Sequence, residues 1–294
     1  MKILITGATG FFGSALASQL QNFECEFFLL TRSKSNLERI KKFNLERQVV
    51  CCNTDDEVKD FIKKIQPDVV IHNACSYGHL EGGVTELVGV NIKLGILIIQ
   101  TLISIAKPVT FINTATVLSS NVSLYALSKN QFSQWGLELS RRSAKILQFI
   151  NVKLQHMYGP GDSLSKFSTY VLYACYQNEP TLELTLGKQK RDFIYVDDVV
   201  SAYLILITKR GEFSFFEDVD IGSGVSPSIE FFVKTVHKLT NSKTSLMFGA
   251  VKYRDNEPMF CQANLDKMRG LGWHPKFHLK QGILKTIELE FKYV

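Results

Sequence analysis

The chain has 294 residues, of which 45% are hydrophobic, and its formal net charge at neutral pH is +6. This length and apolar content allow one large core with a smaller lobe, as in a soluble enzyme. The positive charges are spread along the chain without a basic stripe, which argues against a nucleic-acid partner and suits a small anionic substrate.

Targeting, disulfide and metal signals are weak. A strand pattern begins at Lys2, so we expect no signal peptide, and the longest apolar stretch, 95–106, is too short to span a bilayer. The six cysteines have no C-x-x-C spacing, which favours free thiols in a reducing, cytoplasmic compartment. His274 and His278 are four residues apart, but Pro275 between them argues against a helical metal pair, so we expect no metal.

The first thirteen residues read MKILITGATGFFG, a short apolar run followed by Gly7, Gly10 and Gly13 and then a helical pattern. Glycines permit a tight turn and a close approach to a pyrophosphate, and the helix start offers N–H groups with partial positive charge. The triplet alone fits an ordinary turn equally well, but its place between a strand and a helix favours a cofactor. The predicted cofactor contacts here are Gly7, Thr9, Gly10, Phe11, Phe12 and Gly13.

Apolar strand patterns alternate with helical ones through the first half of the chain, which predicts a doubly wound parallel α/β sheet. The predicted strands are 2–6, 26–31, 48–52, 69–73, 109–114 and 149–154. The predicted helices are 13–22, 55–65, 84–106 and 125–143. No linker separates two independent domains.

The end of the second predicted strand indicates the cofactor. An acidic residue at this place holds the ribose of NAD, whereas an arginine accommodates the 2′-phosphate of NADP. The strand ends in Leu-Leu-Thr-Arg32-Ser33 without an acid, so we expect NADP(H), with Arg32 and Ser33 on the phosphate. The alternative is that Arg32 is a solvated loop charge. Asn53, after the third strand, is a weaker candidate for an adenine contact.

The chemistry is predicted at Tyr125-Ala-Leu-Ser-Lys129. A tyrosine and a lysine four apart share a helix face, and a cation near the phenol lowers its pKa, so that Tyr125 can pass a proton to or from a sugar oxygen. The same spacing also occurs in ordinary exposed helix pairs. What favours the catalytic interpretation is the preceding strand, which ends at Thr114.

These features together resemble the extended branch of the short-chain dehydrogenase/reductase superfamily. The resemblance rests on the glycine spacing, on D-V-V-I-H-N-A at 68–74, and on the strand end followed by Y-x-x-x-K. It implies that Asn73 and Ala74 line the cofactor site and that Asn91 supports Lys129. It also implies that Thr114, with Thr116 as a second candidate, hydrogen-bonds the reacting oxygen.

The second half resembles the substrate lobe of nucleotide-sugar enzymes in that superfamily. Residues 155–162 match an N-x-Y-G-P-G turn, with His156 in place of asparagine, and 187–198 match G-x-Q-x-R-D-F-x-Y-V-x-D. The resemblance makes Arg191 and Arg254 diphosphate ligands, since a guanidinium pairs with two oxygens at once, and lets Asp255 hold a ribose hydroxyl. The alternative for Arg191 is a buried structural ion pair.

Four stretches are similar to one branch, the CDP-abequose and CDP-paratose synthases. They begin with H-N-A-C-S-Y-G-H at 72–79 and G-D-S-L-S-K-F at 161–167 and continue in 191–200 and 248–260. This branch reduces the 4-keto group of a CDP-linked 3,6-dideoxy sugar with NADPH for O-antigen assembly. The similarity implies that Tyr77 and His79 line the sugar pocket and that Lys166 binds substrate; the alternative for Tyr77 and His79 is a capped loop beside the sheet.

The function implied is therefore an NADPH-dependent nucleotide-sugar 4-ketoreductase. A reductase of a dTDP- or GDP-linked 6-deoxy-4-keto sugar and an NAD-dependent 4-epimerase remain alternatives. A non-enzymatic NADP-sensing protein is disfavoured because Thr114, Tyr125 and Lys129 are all present. A dehydratase is disfavoured because residues 115–117 lack an acidic pair.

The domain organisation follows from the same resemblance. We expect an NADP-binding domain from residues 1–155 and 192–222 and a nucleotide-sugar lobe from 156–191 and 223–294. Family resemblance also predicts a homodimer formed through the helix that carries Tyr125.

Overall fold

The computed structural model describes residues 1–78 and 83–291 and divides the chain into two compact units. Unit 1 comprises Met1–Lys153 and Tyr203–Val219, and unit 2 comprises Leu154–Ala202 and Asp220–Val294. The sequence assigns 192–222 to the cofactor-binding part instead; that division by role stays a prediction.

The elements alternate between strands and helices through the first half of the chain. The strands are β1 (Lys2–Thr6), β2 (Glu26–Thr31), β3 (Val49–Cys51), β4 (Val69–His72), β5 (Val109–Thr114), β6 (Leu147–Leu154), β7 (His156–Tyr158), β8 (Thr181–Leu184), β9 (Phe193–Tyr195), β10 (Phe216–Ile221) and β11 (Ser245–Phe248). The α-helices are α1 (Phe11–Leu20), α2 (Glu38–Lys42), α3 (Asp55–Ile65), α4 (Gly83–Val88), α5 (Leu94–Ile105), α6 (Leu124–Arg142), α7 (Phe167–Gln177), α8 (Val196–Thr208), α9 (Ile229–Leu239), α10 (Asp266–Gly270) and α11 (Leu279–Phe291).

Seven strands form the central sheet in the order β10-β6-β5-β4-β1-β2-β3. The pairings from β6 through to β3 are parallel. The strand order reverses between β1 and β4, the place where open α/β sheets bind ligands outside the carboxyl ends of their strands. The predicted doubly wound parallel fold is confirmed.

The strands are apolar because they are buried on both faces, as expected of a parallel sheet. Ile3, Leu4 and Ile5 of β1 have no exposed surface. Helix α5 packs its buried residues Ile98 and Leu102 into the same hydrophobic core.

Residues 83–105 form one helical run of 23 residues, in which a π-helical turn at Gly89–Lys93 joins α4 to α5. This run is longer than the apolar stretch 95–106 considered in the sequence. By length and composition alone it could cross a membrane, a test that the core helix of a soluble protein passes equally well.

Unit 2 contains two small parallel sheets, β7 with β9 and β8 with β11. A buried carboxylate, Asp192, lies just before β9. Its two oxygens accept hydrogen bonds from the backbone N–H groups of Ser223, Gly224 and Ala263, at 2.6, 2.9 and 3.0 Å respectively. Four donors, counting the Ser223 hydroxyl at 2.7 Å, satisfy this charge and fix three loop segments to one point.

Candidate active site

The turn between β1 and α1 brings three backbone segments together with no room for side chains. Gly7 has φ +66, and a Cβ there would lie 2.6 Å from backbone atoms of Asn73 and Ala74, just after β4. A Cβ on Gly13 would lie 2.3 Å from the carbonyl oxygen of Gly7. Both glycines are therefore required by packing, whatever else the turn does.

Gly10 has a different role. It is the N-cap of α1, its backbone is extended (φ −74), and a Cβ there would lie 3.3 Å from the Gly7 carbonyl oxygen. Gly10 has no side chain to cap the helix, and the first turn of α1 contains no acid. The N–H groups at this helix start therefore suit an external anion such as a phosphate.

The predicted cofactor contacts around this turn differ in exposure. Thr9 and Phe11 are half-buried. Phe12 is buried, with its ring 4.6 Å from that of Tyr203, centroid to centroid. Because the Phe12 side chain belongs to the core, only its backbone N–H remains for a ligand.

A histidine within the 68–74 motif joins the carboxyl ends of β1 and β4. His72 has no exposed surface, and its Nδ1 lies 2.9 Å from the hydroxyl of Thr6, which accepts from the Ala74 N–H at 3.2 Å. Burial lowers the pKa of His72 to about 3, and Lys129 adds to this effect. His72 is thus a neutral structural residue, and Asn73 and Ala74, both half-buried, follow it at the strand end.

Arg32 and Ser33 are exposed at the carboxyl end of β2. The side chain of Asn53 accepts a hydrogen bond from the Ser33 N–H at 2.9 Å, so Asn53 orders the Arg32 turn. That contact uses one lone pair of the Asn53 oxygen, and the adenine contact of Asn53 stays a prediction.

Thr114 ends β5, and its hydroxyl lies 2.6 Å from the hydroxyl of Tyr203 on α8. Tyr203 is fully buried, and burial raises its pKa, so that it stays a phenol and can donate. When Tyr203 donates, the Thr114 proton is left for another acceptor. The second candidate, Thr116, is buried and accepts from the Leu118 N–H at 3.2 Å, a local turn contact.

Tyr125 and Lys129 lie one turn apart near the start of α6. The helix begins there because the Ser123 hydroxyl caps it, accepting from the Ala126 N–H at 3.1 Å. The Lys129 side chain, 1% exposed, is among the most deeply buried in the protein.

The electrostatics of this pair differ from the sequence prediction. Burial raises the pKa of Tyr125 well above its usual value, and Tyr77 and Cys75 raise it further. Burial also lowers the pKa of Lys129, with Cys75 acting in the opposite direction. The expected lowering of the tyrosine pKa is therefore wrong, because desolvation of the phenol is the largest effect.

Asn91, in the π-helical turn, connects this helix to the loop after β4. Its side chain accepts from the Ser76 N–H at 2.7 Å, donates to the Ser76 carbonyl at 2.9 Å, and donates to the Ser128 hydroxyl at 2.9 Å. Asn91 thus contacts the neighbour of Lys129 in sequence. π-Helical turns occur frequently at functional sites.

The same loop carries Tyr77, whose ring stacks on that of Tyr125 with centroids 4.6 Å apart and an interplanar angle of 26°. His79, the other residue assigned to the sugar pocket, lies outside the described residues.

Unit 2 brings together three of the residues predicted to bind substrate. His156 begins β7, and its ring is largely buried; among the described residues its Nδ1 has no hydrogen-bond partner. Burial, followed by the cations Arg191 and Lys166, lowers the pKa of His156 to about 4. A neutral imidazole beside two cations can hydrogen-bond an anionic ligand.

Arg191, predicted as a diphosphate ligand, is buried and forms a salt bridge with Glu257. Its other terminal nitrogen donates to the Lys190 carbonyl at 2.8 Å. The structure therefore contains the ion pair that the sequence offered as the alternative for Arg191. Arg254 and Asp255 are exposed on the loop that leads to Glu257.

Sequence reasoning missed Tyr203 as the partner of Thr114, Glu257 as the partner of Arg191, and Asp192 as a loop anchor. Asp192 alone had a signal, since it follows the arginine in the R-D-F motif. Within residues 1–78 and 83–291, no group of three or more His, Cys, Asp or Glu side chains could hold a metal ion.

Comparison with known proteins assigns the family. The profile described as the NAD dependent epimerase/dehydratase family matches residues 3–222. The chain belongs to this family. It is 28% identical over 300 residues to the CDP-abequose synthase of Salmonella typhimurium, covering 97% of both chains, and 30% identical over 298 residues to that of Salmonella muenchen, covering 98% of both. The predicted resemblance is confirmed.

Solved structures agree on the fold of this family. The UDP-glucuronic acid 4-epimerase of Bacillus cereus, in complex with UDP-glucuronic acid and NAD, superposes with a TM-score of 0.85. It is 19% identical, and the match covers 98% of both chains.

Two substitutions distinguish Gly13, which packing requires, from Gly10, which lies at the start of α1 with more room. We expect Gly13→Ala to lower the free energy of unfolding by about 2 kcal/mol, because its Cβ would overlap the Gly7 carbonyl. Gly10→Ala should cost about 1 kcal/mol or less, as a cap residue with more room. Urea titration followed by circular dichroism measures both, and equal losses would contradict this account.

The Arg191–Glu257 pair is tested by a double-mutant cycle. Arg191→Ala leaves a largely buried carboxylate without its partner and should lower the free energy of unfolding by about 3 kcal/mol. Adding Glu257→Gln should recover part of that loss, because the uncompensated charge is removed. Additive effects of the two substitutions in urea titrations would mean that the pair is not coupled.

Proposed function

We propose that this protein is an NADPH-dependent reductase of the 4-keto group of a nucleotide-activated deoxy sugar. The proposed substrate is a CDP-4-keto-3,6-dideoxyhexose, and the product is CDP-abequose or CDP-paratose. The observation that carries the proposal is the placement of Tyr125 one helical turn before the buried Lys129 at the start of α6. The similarity to CDP-abequose synthases supports the choice of sugar and nucleotide.

In this proposal side chains of unit 1 hydrogen-bond and protonate the carbonyl oxygen of the substrate. The Thr114 hydroxyl, held by Tyr203 at 2.6 Å, donates a hydrogen bond to that oxygen. As negative charge develops on the oxygen, Tyr125 donates its proton and the alcohol forms. Lys129, one helical turn away on α6 and shielded from water, then stabilises the phenolate that remains.

The residues of unit 1 fit a dinucleotide cofactor. The backbone N–H groups at the start of α1 suit its pyrophosphate, Arg32 and Ser33 suit a 2′-phosphate, and Lys129 suits the nicotinamide ribose. When bound, NADPH supplies the hydride that adds to the carbonyl carbon.

Unit 2 supports recognition of the diphosphate. His156, Lys166 and Arg191 form a neutral donor and two cations close together, a set that suits phosphate oxygens. Arg254 and Asp255 are exposed on the loop near Glu257 and complete the proposed set.

Reduction is favoured over 4-epimerisation by the residue at the end of β2. Arg32 at this place suits the phosphorylated cofactor rather than NAD. The proposal also includes a role in O-antigen synthesis, a cytoplasmic location and a homodimer formed through α6. The exposed side chains of Trp135 and Leu127 support an interface on that helix.

The catalytic assignment is tested by NADPH oxidation with a CDP-4-keto-3,6-dideoxyhexose. We expect Tyr125→Phe to lower kcat by about 10³-fold, because the proton donor is lost. Thr114→Ala should lower it by about 10²-fold, through loss of one donor to the developing oxyanion.

Full activity in Tyr125→Phe would remove this residue from the mechanism. Activity with a dTDP- or GDP-linked sugar alone would keep the reductase and replace the nucleotide. NAD released on heating the fresh protein would favour an epimerase instead.

The cofactor assignment is tested by reversing the charge at the end of β2. Arg32→Asp should shift the ratio of kcat/KM from NADPH toward NADH by about 10²-fold, because a carboxylate repels the 2′-phosphate and suits a free ribose. Lys41→Asp, on the exposed face of α2, is the control for net charge. An unchanged ratio in Arg32→Asp would place the phosphate elsewhere.

A further inference from the structure

The buried arginine of unit 2 is paired with an acid on a neighbouring loop. Nη2 of Arg191 donates a hydrogen bond to one carboxylate oxygen of Glu257. The Arg191 side chain is 5% exposed, and that of Glu257 is 18% exposed. The carboxylate is therefore the partner with the greater access to water.

The guanidinium of Arg191 is also held by contacts that do not involve Glu257. Its Nη1 donates to the Lys190 carbonyl at 2.8 Å, and the Arg191 backbone N–H donates to the Pro227 carbonyl at 3.0 Å. Arg191 therefore keeps its place when the carboxylate moves away. A guanidinium can pair with two oxygens of an anion at once, whereas here a single terminal nitrogen contacts the carboxylate.

The loop that carries Glu257 is attached on both sides of this residue. Before it, the Tyr253 hydroxyl accepts a hydrogen bond from the Lys188 N–H at 3.1 Å. After it, the Met259 carbonyl accepts from the Lys190 N–H at 2.9 Å. Because these bonds fix the backbone beside Arg191, the Glu257 side chain can turn toward water while the loop stays in place.

A buried imidazole beside Arg191 lacks a partner. The backbone N–H of His156, at the start of β7, donates to the carbonyl of Asp192, the residue after Arg191, at 3.0 Å. Its ring Nδ1 is buried and has no hydrogen-bond partner among the described residues. Buried polar atoms are normally paired, and a phosphate oxygen at this place can accept from an imidazole N–H. This atom supports an anionic ligand beside the ion pair.

We propose that Glu257 is an internal counter-ion that the diphosphate of the substrate displaces from Arg191. This rests on the proposed function, in which Arg191 binds the diphosphate of a nucleotide sugar. The exchange forms and breaks no covalent bond. Because the carboxylate and the phosphate oxygens compete for one guanidinium, Glu257 weakens the binding of substrate and product alike. Its return to Arg191 favours release of the product.

The exchange is tested by calorimetric titration with CDP, which needs no turnover. Glu257→Gln keeps the shape of the side chain and removes its charge, so the Kd for CDP should fall by about 10-fold. The Kd for cytidine, which has no phosphate, should not change. Glu257→Asp, whose shorter side chain keeps the charge, should give a smaller gain, and it serves as the second variant if Glu257→Gln fails to fold.

The matched control is Glu230→Gln on α9. Glu230 forms a salt bridge with Lys234 at 2.5 Å in the same unit, and the pair is exposed. The substitution removes the same charge without freeing Arg191, so the Kd for CDP should stay at the wild-type value. Titrations with dTDP and GDP extend the comparison to the other nucleotides.

Each contrary outcome overturns the exchange in a recognisable way. Unchanged or weaker CDP binding in Glu257→Gln would make Glu257 a permanent positioning partner of Arg191. An equal gain in Glu230→Gln, or a gain for cytidine, would mean that the effect does not act through the diphosphate. If neither the wild-type protein nor Glu257→Gln binds any of the three diphosphates, Arg191 is not a diphosphate ligand. Tighter CDP binding in Glu257→Gln without NADPH oxidation by the wild-type protein would keep the exchange and reject the reductase.

Discussion

Contact between backbones at Gly7 and Gly13 is the constraint on which the rest of unit 1 depends. Because no Cβ fits at either position, the end of β1, the start of α1 and the chain after β4 lie closer than side chains would allow. The helix start is thereby held at the carboxyl edge of the sheet. The loop that leaves β4 begins at the same point. It brings Ser76 into contact with Asn91 and Tyr77 into contact with Tyr125.

Lys129 and Arg191, the two buried cations among residues 1–78 and 83–291, are accommodated in different ways. Lys129 is shielded from water, and the groups that shift its pKa are burial and a thiol, neither of them a carboxylate. An ammonium tolerates this because its pKa can fall. A guanidinium keeps its charge in proteins, so the burial of Arg191 requires an acid, and Glu257 provides one. A diphosphate ligand of Arg191 therefore meets a guanidinium that is already paired.

Local patterns in the sequence predicted the elements of unit 1 well. The bounds of β1, β2, β5 and α3 agree with the predicted ranges, since strands buried on both faces read as short apolar runs between clear turn and cap signals. The short strands of unit 2 escaped prediction because three or four residues carry too little periodicity.

Pairings between distant residues could not be predicted in the same way. Thr114 and Tyr203 are 89 residues apart, and Arg191 and Glu257 are 66 apart, so no local spacing connects them. The error in the pKa of Tyr125 has the same origin. The sequence places a cation four residues away, but the depth of burial, which decides the direction, is a property of the folded chain.

The π-helical turn at Gly89–Lys93 makes the structure sensitive to the number of residues between α4 and α5. A π-helical turn contains one residue more than an α-helix needs for the same turn, and each residue corresponds to a rotation of about 100°. Deleting one residue between 89 and 93 would give a regular helix, yet it would rotate α4 relative to α5 and move Asn91 off the line between Ser76 and Ser128. The π-helical turn thus aligns Asn91 with both Ser76 and Ser128. Through these contacts its extra residue helps to place Tyr77 next to Tyr125.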